Sequence, residues 1–168
     1  MPNPNVIIVG VVDGQPRIVL EQAVEFARRF DAMLLCASVD PSRYLVERFS
    51  DGLFTSMPID PEIQDLRVEK FDEHLRKQIA TVLEPAGVPW SVHPLVGDPS
   101  SELIALADRV DAILLVVGTR SPGFRGTLQE FFNGSVAAHL AHRQHRPVIV
   151  IPHPASSASK PLPWEGSE

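Results

Sequence analysis

Val6-Ile7-Ile8-Val9-Gly10-Val11-Val12 is an apolar run with no polar residue alternating through it. A strand with one solvated face alternates polar and apolar side chains; a strand covered on both faces does not. The run therefore points to a parallel sheet enclosed between helices. Ala32 to Val39, Ala112 to Val117 and Pro147 to Ile151 read the same way. Trp90 to Val96 is a further strand, and Pro94 suits it to a sheet edge.

Helical spacing fills the intervals. Leu20, Ala23, Val24 and Ala27 recur on one stripe between Glu21, Glu25, Arg28 and Arg29. Ile63, Leu66, Phe71, Leu75, Ile79 and Val82 predict the longest helix, ended by Pro85 and Gly87. Asp98 as cap and Pro99 at the first helical position open a third helix carrying Leu103, Ile104, Ala107 and Val110, broken at Asp111. A fourth runs from Gly134 or Ser135 to about Gln144. Residues 41–61, with Pro41, Gly52, Pro58 and Pro61, read as a long excursion with a helical turn around Tyr44 to Phe49. Strand and helix alternate five times, which predicts an α/β fold: an open doubly wound five-stranded parallel sheet with helices on both faces. The 168 residues fit one domain, 1–152, followed by a Pro-, Ser- and Ala-rich tail, 153–168, expected to be poorly ordered.

No apolar run approaches the about 20 residues that cross a bilayer. The opening Met1-Pro2-Asn3-Pro4-Asn5 lacks the positive segment of a secretory signal, so a cytoplasmic location is expected. A net charge of −6 opposes binding to nucleic acid or anionic lipid. The charge is uneven, however. Between Gly118 and Ile151, Arg120, Arg125, Arg143 and Arg146 face the single acid Glu130, which makes this the expected place for an anion. Cys36, the one cysteine, sits in an apolar strand and reads as core filling, with no disulfide available to it.

In open α/β sheets ligands sit beyond the carboxyl ends of the strands, so the loops starting at Asp13, Val39 and Gly118 are the places to look. The loop Gly118-Thr119-Arg120-Ser121-Pro122-Gly123-Phe124-Arg125-Gly126 leads to Asn133-Gly134-Ser135-Val136 at a helix start. Free N–H groups, the helix dipole and glycines that admit phosphate oxygens make such a junction ready for an anion, and Arg120 and Arg125 could add charge-assisted bonds. A glycine-bearing surface loop is the competing reading of the same residues. Asp13 could accept hydrogen bonds from a ribose diol or reach a hydrated metal ion, or it could simply shape an Asp-Gly turn. No Gly-x-Gly-x-x-Gly follows the first strand and no Gly-Lys-Ser/Thr occurs, which argues against hydride transfer and P-loop hydrolysis. His139, His142 and His145 near a helix end are better explained by the dipole than by a metal. No nucleophilic triad can be nominated.

These residues resemble the universal stress proteins. The likeness covers about Asn5 to Pro152. It rests on Val9-Gly10-Val11-Val12-Asp13-Gly14, on Gly97-Asp98-Pro99, on Ile113-Leu114-Leu115-Val116-Val117-Gly118-Thr119-Arg120, and on Gly134-Ser135-Val136 leading to Arg146-Pro147-Val148-Ile149-Val150-Ile151-Pro152. The run His139 to Pro147 looks like actinobacterial forms. The resemblance implies an adenine-nucleotide alpha-hydrolase-like fold, a homodimer through Val148 to Ile151 and, in one subgroup, ATP binding. Carried over, it gives Asp13 the ribose or a metal, the Val39 backbone the adenine, Gly118 the strand exit, and Gly134, Ser135 and Val136 the phosphates. Thr119, Arg120, Gly123, Arg125 and Gly126 belong to the connecting loop.

The subgroup's signature is Gly, two residues, Gly, nine residues, Gly-Ser/Thr. This chain departs from it: Ser121 stands at the second glycine, and twelve residues separate it from Gly134. Taking Gly123 instead gives gaps of four and ten, and Gln15 follows Asp-Gly where serine is common. The expected function is a stress-response regulator binding ATP or another adenine nucleotide, with or without Mg. Any hydrolysis should be slow, since no general base or arginine finger can be named. The alternative is a nucleotide-independent protein-interaction module using residues 41–61 and Phe131-Phe132.

Overall fold

The computed structural model describes residues 4–15, 17–119 and 135–152. The chain runs through β1 (Asn5–Gly10), α1 (Arg17–Phe30), β2 (Ala32–Asp40), β3 (Arg43–Arg48), β4 (Phe54–Pro58) and β5 (Arg67–Val68). It continues through α2 (Glu73–Ala86), β6 (Trp90–Val96), α3 (Pro99–Val110), β7 (Leu114–Gly118), α4 (Ser135–Arg143) and β8 (Val148–Ile151). The expected five-stranded sheet is present, in the order β6-β2-β1-β7-β8 with every neighbouring pair parallel.

The absence of alternation in β1 has a direct cause. Successive strand residues point to opposite faces, and both faces are covered. Ile7 and Val9 belong to a core with α1 and α2, where they join Val19, Ala23, Ile79 and Leu83. Ile8 belongs to a second core with α3 and α4, joining Leu35, Leu103, Leu106 and Leu140. Each such buried aliphatic contributes roughly 1.5–3 kcal/mol relative to exposure, so neither face tolerates a polar residue. Pro94 lies in β6, at the sheet edge as expected, where a missing N–H costs no ladder bond on the open side.

The helix ends obey local chemistry. Asp98 is the cap of α3, its carboxylate accepting from the Ser101 N–H at 2.9 Å, and Pro99 opens the helix. Asp111 closes it in the left-handed conformation at φ 49°.

Residues 41–68 differ from the expectation. The excursion is a second, antiparallel sheet in the order β3-β4-β5, with no helical turn at Tyr44 to Phe49. The hairpin turn is set by Asp51-Gly52, where Gly52 adopts φ +90°. The helix expected from Ile63 begins instead at Glu73, because Asp72 caps it by accepting from the Leu75 N–H at 2.7 Å. Ile63 and Leu66 happen to match its spacing but are exposed on the segment before β5. Helix α2 equals α1 at 14 residues rather than exceeding it, and Pro85 lies inside its last turn while Gly87 at φ 68° ends it. The proposed tail, 153–168, lies outside the described residues.

Candidate functional site

Strand β1 leads to β2 on one side, and the chain later returns to β7 on the other, so the order of strands reverses between β1 and β7. Such a switch point opens a crevice beyond the strands' carboxyl ends. Gly10 and Gly118 end the two strands that flank it.

After Gly10 the chain makes a tight turn. Gln15 donates its N–H to the Val12 carbonyl at 3.2 Å, and Gly14 takes φ 70°. This places Asp13 at the tip, exposed, with Gln78 Nε2 of α2 donating to its Oδ1 at 3.1 Å. The Gln15 side chain turns back and donates from Nε2 to the Gly10 carbonyl at 3.2 Å.

Strand β2 ends at Asp40, whose Oδ1 accepts from the Ser42 N–H at 2.9 Å and the Ser42 hydroxyl at 2.6 Å, turning the chain out of the sheet. Asp13 and Val39, assigned from separate loops, line one cavity of about 660 Å³. Its apolar surfaces include Val12, Pro41, Phe71, Leu75 and Leu95, and its polar groups include Asp40, Arg67, Glu69 and Lys70.

The outer wall is the part that sequence reasoning missed. Arg43 is 5% exposed, and its Nε lies 3.0 Å from Glu69 Oε1 and 2.7 Å from Ser56 Oγ; its Nη1 pairs with Asp65 at 2.9 Å. Ser56 donates its hydroxyl to Glu69 as well. Glu69 accepts from Arg67 Nε at 2.8 Å, and this bond is the main reason the Arg67 guanidinium holds its proton more firmly than usual. The buried ion pair is thus fully hydrogen-bonded, the condition under which such a pair is tolerated. It fixes Arg67 beside the cavity, with Nη2 at 3.6 Å from Asp40 Oδ2. Asp51-Gly52 between two short runs rich in β-branched and aromatic residues is the hairpin signal that could have revealed this sheet.

The remaining assigned residues fall at the β7 exit and the start of α4. Gly118 is buried at the end of β7. The N–H of Thr119 donates to the Ile151 carbonyl at 2.8 Å, so that donor serves the sheet. Ser135 opens α4, and the Val136 side chain is buried in the core, leaving only its backbone toward a ligand. Arg120, Gly123, Arg125, Gly126 and Gly134 lie outside the described residues.

Two arginines of the basic stretch are placed elsewhere. Arg146 donates from Nε to the Ala112 carbonyl at 2.7 Å and from Nη1 to Asp108 at 2.6 Å, at the amino ends of β7 and β8 and away from the crevice. Arg143, with His139, acts electrostatically on the cap Asp98. Among the described residues no three His, Cys, Asp or Glu side chains converge on a metal-sized space, and no helix is long and apolar enough to cross a membrane.

Fold and cleft together define an open, doubly wound α/β domain of the adenine-nucleotide alpha-hydrolase-like type, with its cavity at the carboxyl ends of β1 and β2. The model of the universal stress protein family matches residues 5–152, and the chain belongs to that family. A universal stress protein of Mycolicibacterium smegmatis is 29% identical over 151 residues, covering 88% of this chain and 98% of its own. One of Methanocaldococcus jannaschii is 27% identical over 137 residues, covering 80% and 73%. Among solved structures, a universal stress protein in complex with cAMP superposes with TM-score 0.56 at 24% identity, over 89% of this chain and 97% of the other. One from Archaeoglobus fulgidus in complex with dAMP gives TM-score 0.58 at 22% identity, over 89% and 98%.

Proposed function

We propose that this universal stress protein binds an adenine nucleotide, ATP foremost, and acts as a nucleotide-dependent regulator of a stress response in the cytoplasm. The observation that carries the reading is the meeting of Asp13 and Val39 on one cavity beside the switch point. The cavity lies within the ordinary size range of small-molecule sites, about 300–1,000 Å³. Its apolar surfaces suit a base, and the exposed Asp13 carboxylate suits a ribose diol. Acidic Asp13, Asp40, Glu69 and Asp72 outnumber basic Arg67 and Lys70 there, so the phosphates belong toward the β7 exit and the α4 start, where the first N–H groups of a helix have no intrahelical partner. The cAMP and dAMP carried by the two solved family structures support the choice of adenine. Hydrolysis, if present, is slow.

Native mass spectrometry with and without ATP and Mg tests the reading. The expected result is a dimer, joined through β8, that retains one ATP mass per chain and loses it in Asp13→Ala and Gly134→Asp. Protein that acquires no nucleotide at millimolar ligand would overturn it.

One observation favours a second reading, a protein-interaction module. On the small sheet and its connections Tyr44, Val46, Leu53, Ile59, Leu66 and Val68 are all more than two-fifths exposed. Several exposed large apolar side chains on one small sheet and its connections are the kind of surface a protein partner covers. Partner capture that persists in nucleotide-free Asp13→Ala would support this module.

A further inference from the structure

We propose that Gln78 is a positioning residue that holds Asp13 in the orientation needed to recognise ribose hydroxyls; the inference rests on the nucleotide reading above. Asp13 stands on a turn tip whose neighbour Gly14 has φ 70°, and its side chain is 60% exposed. Among the described residues of the turn none donates a hydrogen bond to the carboxylate. The restraint comes from 65 residues away, on the first turns of α2.

The amide nitrogen of Gln78 has two hydrogens and no acceptor capacity. One points to Asp13 Oδ1 at 3.1 Å; the other meets His74 Nε2 at 2.9 Å. With the amide nitrogen as donor, His74 Nε2 is the acceptor of the second bond. His74 thereby fixes the rotation of the amide, and the amide fixes the carboxylate. His74 Nε2 itself lies 3.9 Å from Asp13 Oδ1, beyond hydrogen-bonding distance.

The consequence is a division of labour between the two carboxylate oxygens. Oδ1 is occupied by the protein, and Oδ2 carries no bond from the described residues, so it is the oxygen available to a hydroxyl donor. A carboxylate already held in place loses less rotational freedom when it binds, and preorganisation of this kind appears directly as affinity. The helix that supplies Gln78 also supplies Leu75 to the cavity wall. The polar contact and the apolar wall therefore move as one body.

The test is equilibrium binding of ATP and of 2′,3′-dideoxy-ATP to the intact chain. Wild type should prefer ATP about tenfold, the scale of one hydrogen bond to a charged acceptor. In Gln78→Leu the ATP affinity should fall several-fold with dideoxy-ATP unchanged, bringing the ratio toward one, as Asp13→Ala should also do. Gln78→Asn keeps a polar helix surface, is too short to reach Asp13, and should behave the same if the leucine variant folds poorly. A purely structural role would weaken both ligands equally and leave the ratio intact, and that outcome overturns the inference. Wild type binding both ligands equally would overturn it while leaving nucleotide binding standing. Wild type binding neither would remove both.

Discussion

Val19 fills the space that a side chain at position 118 would need. A Cβ built on Gly118 would lie 2.9 Å from Val19 Cγ2 and 3.1 Å from Gln15 Nε2. Val19 is 1% exposed on the inner face of α1 and has nowhere to retreat. Glycine at the β7 exit is therefore required by packing of α1 onto the sheet, independently of any ligand. Gly118→Ala should destabilise the fold by about 1–3 kcal/mol, the usual cost of an extra methyl in a packed core. Chemical denaturation of the two proteins checks this, and an unchanged midpoint would refute it.

Gly118 also illustrates how far the sequence could be read. Its place at the end of a buried strand followed from the apolar run 112–117, because burial on both faces leaves a strong compositional trace. The reason for glycine there did not, since it depends on Val19, a residue 99 positions away in the chain. The central sheet, the two helix layers and the Asp98 cap were legible for the same local reasons. The small sheet was not. Its β5 has only two residues, Ile63 and Leu66 imitate the spacing of α2, and its strands meet at the Arg43–Glu69 pair, which no periodicity announces. Asp13 and Val39 were found as strand ends, but their common cavity, its Arg67 wall and the Gln78 contact needed the fold.

Asp98 makes a pH-dependent contribution. Its carboxyl is held below the usual range, first by the hydroxyl of Ser101 at 2.7 Å and then by the Ser101 N–H. A carboxylate with a depressed folded value contributes stability that is complete above its unfolded value, near 3.8, and is lost as pH falls through the folded one. Asp98→Ala should cost about 1 kcal/mol at pH 7, the ordinary value of a helix cap. The difference from wild type should shrink progressively as the pH falls below 3.8. Thermal melts across that range and at pH 7 measure it.

Cys36 should be inert in the native state. Burial pushes its thiol up to about 12, and the side chain is inaccessible within the core beneath α1 and α2. The thiolate is the reactive form, so alkylation at pH 8 should be negligible until denaturant is added. Mass spectrometry after brief iodoacetamide treatment would show one adduct only in the unfolded protein. Rapid labelling of folded protein would contradict the burial.

The Arg43–Glu69 pair is expected to matter to the cavity more than to the central sheet. Glu69 joins Arg43 of β3, Ser56 of β4 and Arg67 of β5, so Glu69→Ala removes the common acceptor of all three strands. Arg43 would stay buried with Asp65 as its remaining ionic partner, at 2.9 Å. Breaking a buried pair from one side costs about 3 kcal/mol or more. The two cores of the main sheet do not include β3, β4 or β5, so the loss should stay local. Amide exchange should therefore quicken across residues 43–68 and remain slow in β1, β2 and β7. Arg67 would no longer be fixed beside Asp40, and on the proposed nucleotide reading the affinity should drop. Exchange that quickened equally in β1 would show instead that the small sheet and the central sheet unfold as one unit.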